Sequence, residues 1–259
     1  MTSPIEPRTA SLYHASRAAV VEPWVAAAIV LTAMATYLVA PMFAPSALRF
    51  VVAQAALAAV TVVGVLVAHP ARALAALGLR GARPVFFVAA VAIGATAWYL
   101  NLRLVALLPL PEGQARALQV MVDRPSLAGA LLSFAALPAV CEELVFRGVL
   151  ARSLGRNLAV VMAAAISAIV FSTYHLSLVQ ALPTLTLGFV LAVVAIRADS
   201  IAPTMLAHAI NNAMALTMSR GEVAPVATWM DRHPTLALVG CGAATALGLM
   251  LAARGTRTS

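Results

Sequence analysis

The sequence predicts an all-α polytopic membrane protein with about eight transmembrane helices. Three observations carry that expectation. Of the 259 residues, 63% are hydrophobic and 10% charged, where a soluble domain averages about 25% charged. Apolar runs recur along the chain at about the 20 residues a helix needs to cross the hydrocarbon core. Backbone groups cannot stay unpaired in lipid, so runs of this kind are helices.

The first run, Trp24–Phe43, follows a mildly basic start (Arg8, Arg17). It is longer than the ~7–15-residue core of a signal peptide and is therefore expected to be a span. Phe50–Ala68 is the second, followed by a polar stretch with His69, Arg72, Arg80 and Arg83. Val85–Tyr99 is the third; Leu104–Leu110 either extends it or lies in the interface. The next loop carries Glu112, Arg116, Asp123 and Arg124, and its section Gln114–Val122 suits a short interfacial helix. Then come Ser126–Leu150, Leu158–Tyr174, Leu178–Ile196, Ile201–Met218 and Thr235–Ala253. Abundant Ala and Gly in these runs suits close helix packing. With no linker, low-complexity tract or convincing repeat, one membrane domain over 22–254 is expected. Its motif-bearing core is 126–218, with a cytoplasmic tail at 1–21 and a C-terminal tail at 255–259.

All 17 basic residues are Arg, and with nine acids the net charge is +8. The arginines are scattered between apolar runs rather than massed. Nucleic acid is therefore not an expected partner, and anionic lipid headgroups are. With the N-terminus inside, the inner loops collect Arg8, Arg17, Arg72, Arg80, Arg83, Arg152, Arg156, Arg197, Arg254 and Arg257. The outer loops collect Arg49, Arg103, Arg116, Arg124, Arg220 and Arg232. The excess puts both termini in the cytoplasm, with a bacterial inner membrane as the expected location. The two cysteines, Cys141 and Cys241, lie inside apolar runs and suggest neither a disulfide framework nor a Cys-rich metal site. Cys141 beside Glu142 reads as a small buried thiol before it reads as a nucleophile.

Five residues are costly where they stand: Glu142, Glu143, Arg147, His175 and His208. A charged group at mid-bilayer costs roughly 2.5–3.5 kcal/mol on insertion scales, so such groups pair or serve function. Glu143 and Arg147 are four apart, acid before base, and can neutralise each other on one helix face. Glu142 lies about 100° round the helix and points elsewhere. Pro138 removes a backbone donor just before the pair and bends the helix there. A structural ion pair accounts for Glu143 and Arg147 but leaves Glu142 over. Phe171 and His175 share a face of the fifth span, as His208 and Asn212 do on the seventh. Taken singly, His175 reads as an interfacial residue and His208 with Asn212 as a polar helix contact. A hairpin turning at Arg152–Asn157 would bring Glu142 and His175 to equal depth. One carboxylate, two imidazoles and a carboxamide suffice to activate water and stabilise an oxyanion. The site is expected in a polar cavity between spans four, five and seven.

These residues resemble the CAAX-protease and bacteriocin-processing family, also called Abi or Rce1-like, of intramembrane proteases. Its pattern is Glu-Glu-x-x-x-Arg, Phe-x-x-x-His and His-x-x-x-Asn. Here it reads Glu142-Glu143…Arg147, Phe171…His175 and His208…Asn212, over roughly Ser126–Met218. The Phe146-Arg147-Gly148 ending and Gly188 also fit. Each motif alone is weak; three in order on separate helices are specific. The resemblance implies a type II CAAX-prenyl-protease-like endopeptidase, historically called a metalloprotease, acting on a membrane-anchored peptide or protein. Glu142 would activate water with His175 assisting, His208 and Asn212 would stabilise the oxyanion, and Phe171 would support them. Glu143 and Arg147 would be the structural pair. A glutamate mechanism without metal or other cofactor is favoured, since no His-Glu-x-x-His motif is present. Zinc held by Glu142, His175 and His208 is the alternative. A non-catalytic bacteriocin-immunity or scaffold protein is the runner-up. A proton-coupled transporter is weaker, because paired half-helices and inverted repeats are not evident.

Overall fold

The computed structural model describes residues 20–108, 112–123 and 125–255. The expected tails, 1–21 and 255–259, lie outside this set apart from Val20, Val21 and Gly255, as do Arg8, Arg17, Arg124 and Arg257. Among the described residues every regular element is helical. The first helices are α1 (Pro23–Val39), α2 (Arg49–Ala68), α3 (Pro84–Val105), α4 (Glu112–Asp123) and α5 (Leu127–Leu154). They are followed by α6 (Val160–Tyr174), α7 (Leu178–Ala198), α8 (Ala202–Ser219), α9 (Ala224–Arg232) and α10 (Pro234–Arg254). Pro23, Pro84 and Pro234 each open a helix, where the missing N–H would have had no partner anyway.

Each of the eight expected spans is a helix. Six are long and apolar enough to cross a membrane: α1 with its 3-10 extension to Phe43, α2, α3, α5, α7 and α10. The chain is an integral membrane protein. Helix α6 has 15 residues, short of the roughly 20 a full span needs. Helix α8 has 18 residues, but His208, Asn211 and Asn212 lower its hydropathy. Leu104 and Val105 continue α3, and α4 takes in the expected interfacial helix Gln114–Val122.

Helices α3 and α5 are the inner pair, each about half buried, whereas α1 and α10 turn most of their surface outward. Helix α3 packs on α7, α8 and α10; α5 packs on α1, α2, α6, α7 and α8. Two glycines permit the closest approaches. A Cβ on Gly94 would lie 2.6 Å from the Ala207 carbonyl oxygen on α8, and one on Gly148 2.5 Å from that of Leu77.

Polar contacts sort the loops into two ends. Arg156 Nη1 donates to Glu22 Oε1 at 2.7 Å and to the Val20 carbonyl at 2.9 Å. Arg152 pairs with Asp199 at 3.0 Å, and Arg80 pairs with the same carboxylate. The start of α1, the α2–α3 loop, the α5–α6 turn and the α7–α8 turn therefore share one end. At the other, Arg220 Nη1 donates to the carbonyls of Val122 (2.7 Å) and Pro125 (3.2 Å), joining α4, the start of α5 and the end of α8. This is the loop grouping the arginine count assumed. Arg152 departs from it in role: counted among the loop charges facing lipid, it is 3% exposed and enclosed. It donates to the carbonyls of Ala75 and Ala76 as well as to Asp199. The cause is local. Asp199 closes α7 in the left-handed region (φ 51°) and turns its carboxylate back under α5.

Candidate active site

Helix α5 supplies the acids. Its α-helical turn Leu137–Glu142 is flanked by π-helical stretches, Leu131–Ala136 and Glu143–Ala151. Such wide turns interrupt the regular helix frequently at functional sites, and Pro138, which cannot donate, follows the first of them. Glu143 and Arg147, both fully buried, form an ion pair at 2.9 Å. Arg147 also donates to the Gly188 carbonyl on α7 at 3.4 Å, and its guanidinium carbon lies 4.1 Å from the centroid of Phe171. Gly188 is needed there: a Cβ would sit 3.0 Å from the Phe171 ring.

Helix α8 brings His208 to both glutamates. Its Nδ1 is 2.9 Å from Glu143 Oε1, and its Nε2 is 3.8 Å from Glu142 Oε2. The register follows from the inner-end ion pair. Arg152 and Asp199 touch; Glu143 lies nine residues before the one and His208 nine after the other, on helices running oppositely. Glu143 is therefore more than the partner of Arg147 that spacing implied. An ionised carboxylate only accepts, so it places the imidazole proton on Nδ1 of His208 and leaves Nε2 facing Glu142.

His175 stands at the end of α6 rather than inside a longer helix. Leu176 takes φ 48° directly after it, and α7 begins at Leu178. The Phe171 ring, one turn before His175, lies 6.1 Å from the His208 ring. Phe146 and Phe171 stack edge to face at 5.0 Å across the α5–α6 hairpin. Glu142 precedes the one by four residues and His175 follows the other by four, so they lie one turn further on at matching depth. His175 is only half buried; its Nδ1 lies 2.9 Å from the Phe171 carbonyl, and its ring packs on Phe171 and Tyr174.

Asn212 is half buried and donates to the Phe134 carbonyl at 3.3 Å, while its own oxygen accepts from Asn211 at 3.2 Å. His208, Asn211, Asn212 and Phe171 face a cavity of about 530 Å³. Its remaining walls come from α3 (Trp98, Tyr99), α7 (Val179, Leu187) and α9 (Met230). These walls are largely apolar; those from α3 and α7 belong to the third and sixth expected spans, and α9 lies in the expected loop between the seventh and eighth. The fourth, though it carries Glu142, does not line the cavity. The cavity lies toward the end where α9 sits, opposite the Arg152–Asp199 pair.

The residue that holds Glu142 was not anticipated. Gln54, on α2 and fully buried, donates to Glu142 Oε1 at 2.8 Å. The signal was available: it is an amide in the middle of an otherwise apolar span, the same kind of anomaly as the motif residues. Among the described residues no three His, Cys, Asp or Glu side chains are disposed to hold a metal ion. Glu143 and the Phe171 carbonyl engage Nδ1 of His208 and of His175 respectively, so Nε2 is the second nitrogen left to each ring.

The arrangement brings a carboxylate with one oxygen held, an imidazole with one nitrogen directed at the other oxygen, and an amide donor to the edge of an apolar cavity. Residues 124–214 match the family model described as type II CAAX prenyl endopeptidase Rce1-like. No curated protein and no solved structure matches the chain. The matched segment begins just before α5 and ends within α8, so it contains all three motifs and the helices that assemble them. Over residues 124–214 this membrane protein is similar to the Rce1-like family of CAAX-type proteases.

Proposed function

We propose that the protein is an intramembrane endopeptidase that hydrolyses a peptide bond of a membrane-associated substrate with water activated by Glu142. The observation that carries this reading is the approach of Glu142 Oε2 to His208 Nε2, 3.8 Å, beside the apolar cavity. That distance exceeds a direct hydrogen bond, and catalytic contacts of this kind tighten when substrate binds.

In the proposed reaction Glu142 takes a proton from water, and the oxygen attacks the peptide carbonyl carbon. The developing oxyanion accepts from Nε2–H of His208 and from the amide of Asn212. For His208 to donate from Nε2 while Nδ1 bonds Glu143, the ring must be an imidazolium, and Glu143 with the nearby Glu142 supplies the compensating charge. Protonated Glu142 then passes its proton to the leaving nitrogen, the C–N bond breaks, and a carboxylate and an amine result. His175, at the depth of Glu142, assists by positioning the water. No metal or other cofactor takes part. Apolar walls suit a hydrophobic chain attached to the substrate, prenyl or otherwise. The arginine excess supports cytoplasmic termini in a bacterial inner membrane.

The test uses the purified chain in nanodiscs with a membrane-tethered peptide, with and without a prenyl group, and products read by mass spectrometry. Cleavage is expected from the wild type, with Glu142→Ala inactive but folded. Undiminished cleavage by that variant removes Glu142 from the chemistry. Loss of cleavage on chelation would restore a metal mechanism. No cleavage by the wild type, with Glu142→Gln still functional in cells, favours the scaffold reading.

A further inference from the structure

We infer that Gln54, outside the Rce1-like segment, is a positioning residue that fixes which oxygen of Glu142 meets the substrate water. The inference rests on the proteolytic reading above. Two polar side chains of α2, Gln54 and Thr61, are fully buried. Thr61 satisfies itself within its own helix, donating to the Leu57 carbonyl at 2.8 Å. Gln54 instead crosses to α5 and α6: its Nε2 donates to Glu142 Oε1 at 2.8 Å and approaches the Tyr174 hydroxyl at 3.5 Å.

The other half of the amide argues against a purely structural role. Gln54 Oε1 is buried and has no hydrogen-bond partner among the described residues. Buried polar atoms are nearly always paired, and leaving one unpaired is costly, whereas an apolar side chain of similar shape avoids the cost. An amide kept here at that cost serves what its nitrogen holds. With Oε1 of Glu142 pinned to α2, the carboxyl group cannot rotate freely, and Oε2 is left directed at His208 Nε2. The proton acceptor is then one defined oxygen, already aligned before substrate arrives.

The test compares Gln54→Met, Glu142→Gln and the wild type as full chains in nanodiscs, measuring kcat, KM and thermal stability with the tethered peptide. Met keeps the length and shape of the side chain and removes both the donor and the unpaired oxygen. For Gln54→Met the expected result is a kcat about 10- to 100-fold lower, an unchanged KM and a melting temperature equal or higher. A wild-type kcat, or a lower melting temperature with kcat intact, overturns the inference. The Glu142→Gln control separates the two levels: if it cleaves at the wild-type rate, Glu142 is not the base and the proposed mechanism fails with it. If it is inactive while Gln54→Met is fully active, only the role of Gln54 fails. Should Gln54→Met not fold, Gln54→Asn retains an amide one methylene too short to reach Glu142. The same fall in kcat is then expected, and a wild-type kcat overturns the inference.

Discussion

Glu143 serves two partners on different helices, Arg147 beside it and His208 across from it, and no part of it is exposed. Replacing it with Gln leaves a fully buried guanidinium without its countercharge. The expected cost is about 3–5 kcal/mol, read as a large fall in melting temperature along with lost activity. Asn212 differs. It is half buried with one inter-helix bond of 3.3 Å, so Asn212→Ala should fold normally and lower kcat about 100-fold as one oxyanion donor is lost. A melting temperature that falls while kcat holds would make it a packing residue. At this scale the motif side chains were legible because burying them is expensive and they stand out in apolar runs. The bond from Glu143 to His208 was not, because helical spacing offered Glu143 a sufficient partner in Arg147 and gives no information on register between helices. Gln54 was missed because an uncharged amide raises a weaker alarm than a carboxylate.

Helix boundaries were readable from the apolar runs to within a few residues, since length and hydropathy set them. The register between helices was not readable, since the spacing of residues along one helix says nothing about its offset from the next. The α5–α6 hairpin and the Arg152–Asp199 anchor set the actual register. The π-helical stretches of α5 have no sequence signal beyond Pro138. Helix contacts give a direct check on this packing. A methyl on Gly94 meets the Ala207 carbonyl at 2.6 Å and the Ile210 Cβ at 2.9 Å. Gly94→Ala should therefore push α3 away from α8 and destabilise the protein by about 1–3 kcal/mol, with activity falling because α8 carries His208 and Asn212. Gly240→Ala, where nothing lies within 4 Å of the new methyl, is the control and should be neutral or slightly stabilising. Equal melting temperatures for the two variants would mean that α3 and α8 do not pack this closely.

Across the whole molecule the two loop ends are distinguished by what they bind. One ties the start of α1 and three loops together through Arg80, Arg152 and Arg156; the other joins α4, α5 and α8 through Arg220. The arginine pattern in the sequence grouped these loops correctly because alternation of spans leaves few other arrangements. It could not show that Arg152 is enclosed by protein, since burial depends on Asp199 meeting it in space. If the arginine excess sets orientation, reporters fused at either terminus, or a cysteine placed in the α5–α6 turn, will report the cytoplasm. A cysteine in α9, near the cavity, will then label from the opposite face; the reverse pattern would invert the proposed orientation and place cavity access on the cytoplasmic side. All of this serves one claim, that Glu142 activates water against a peptide bond inside the membrane. The most direct measurement is the single-turnover rate of cleavage of a tethered peptide by Glu142→Gln against the wild type, in chelator, with folding checked in the same samples. A fall of about 100-fold or more in a folded variant, with the wild type unaffected by the chelator, is the predicted result. A folded Glu142→Gln protein that cleaves at the wild-type rate contradicts it.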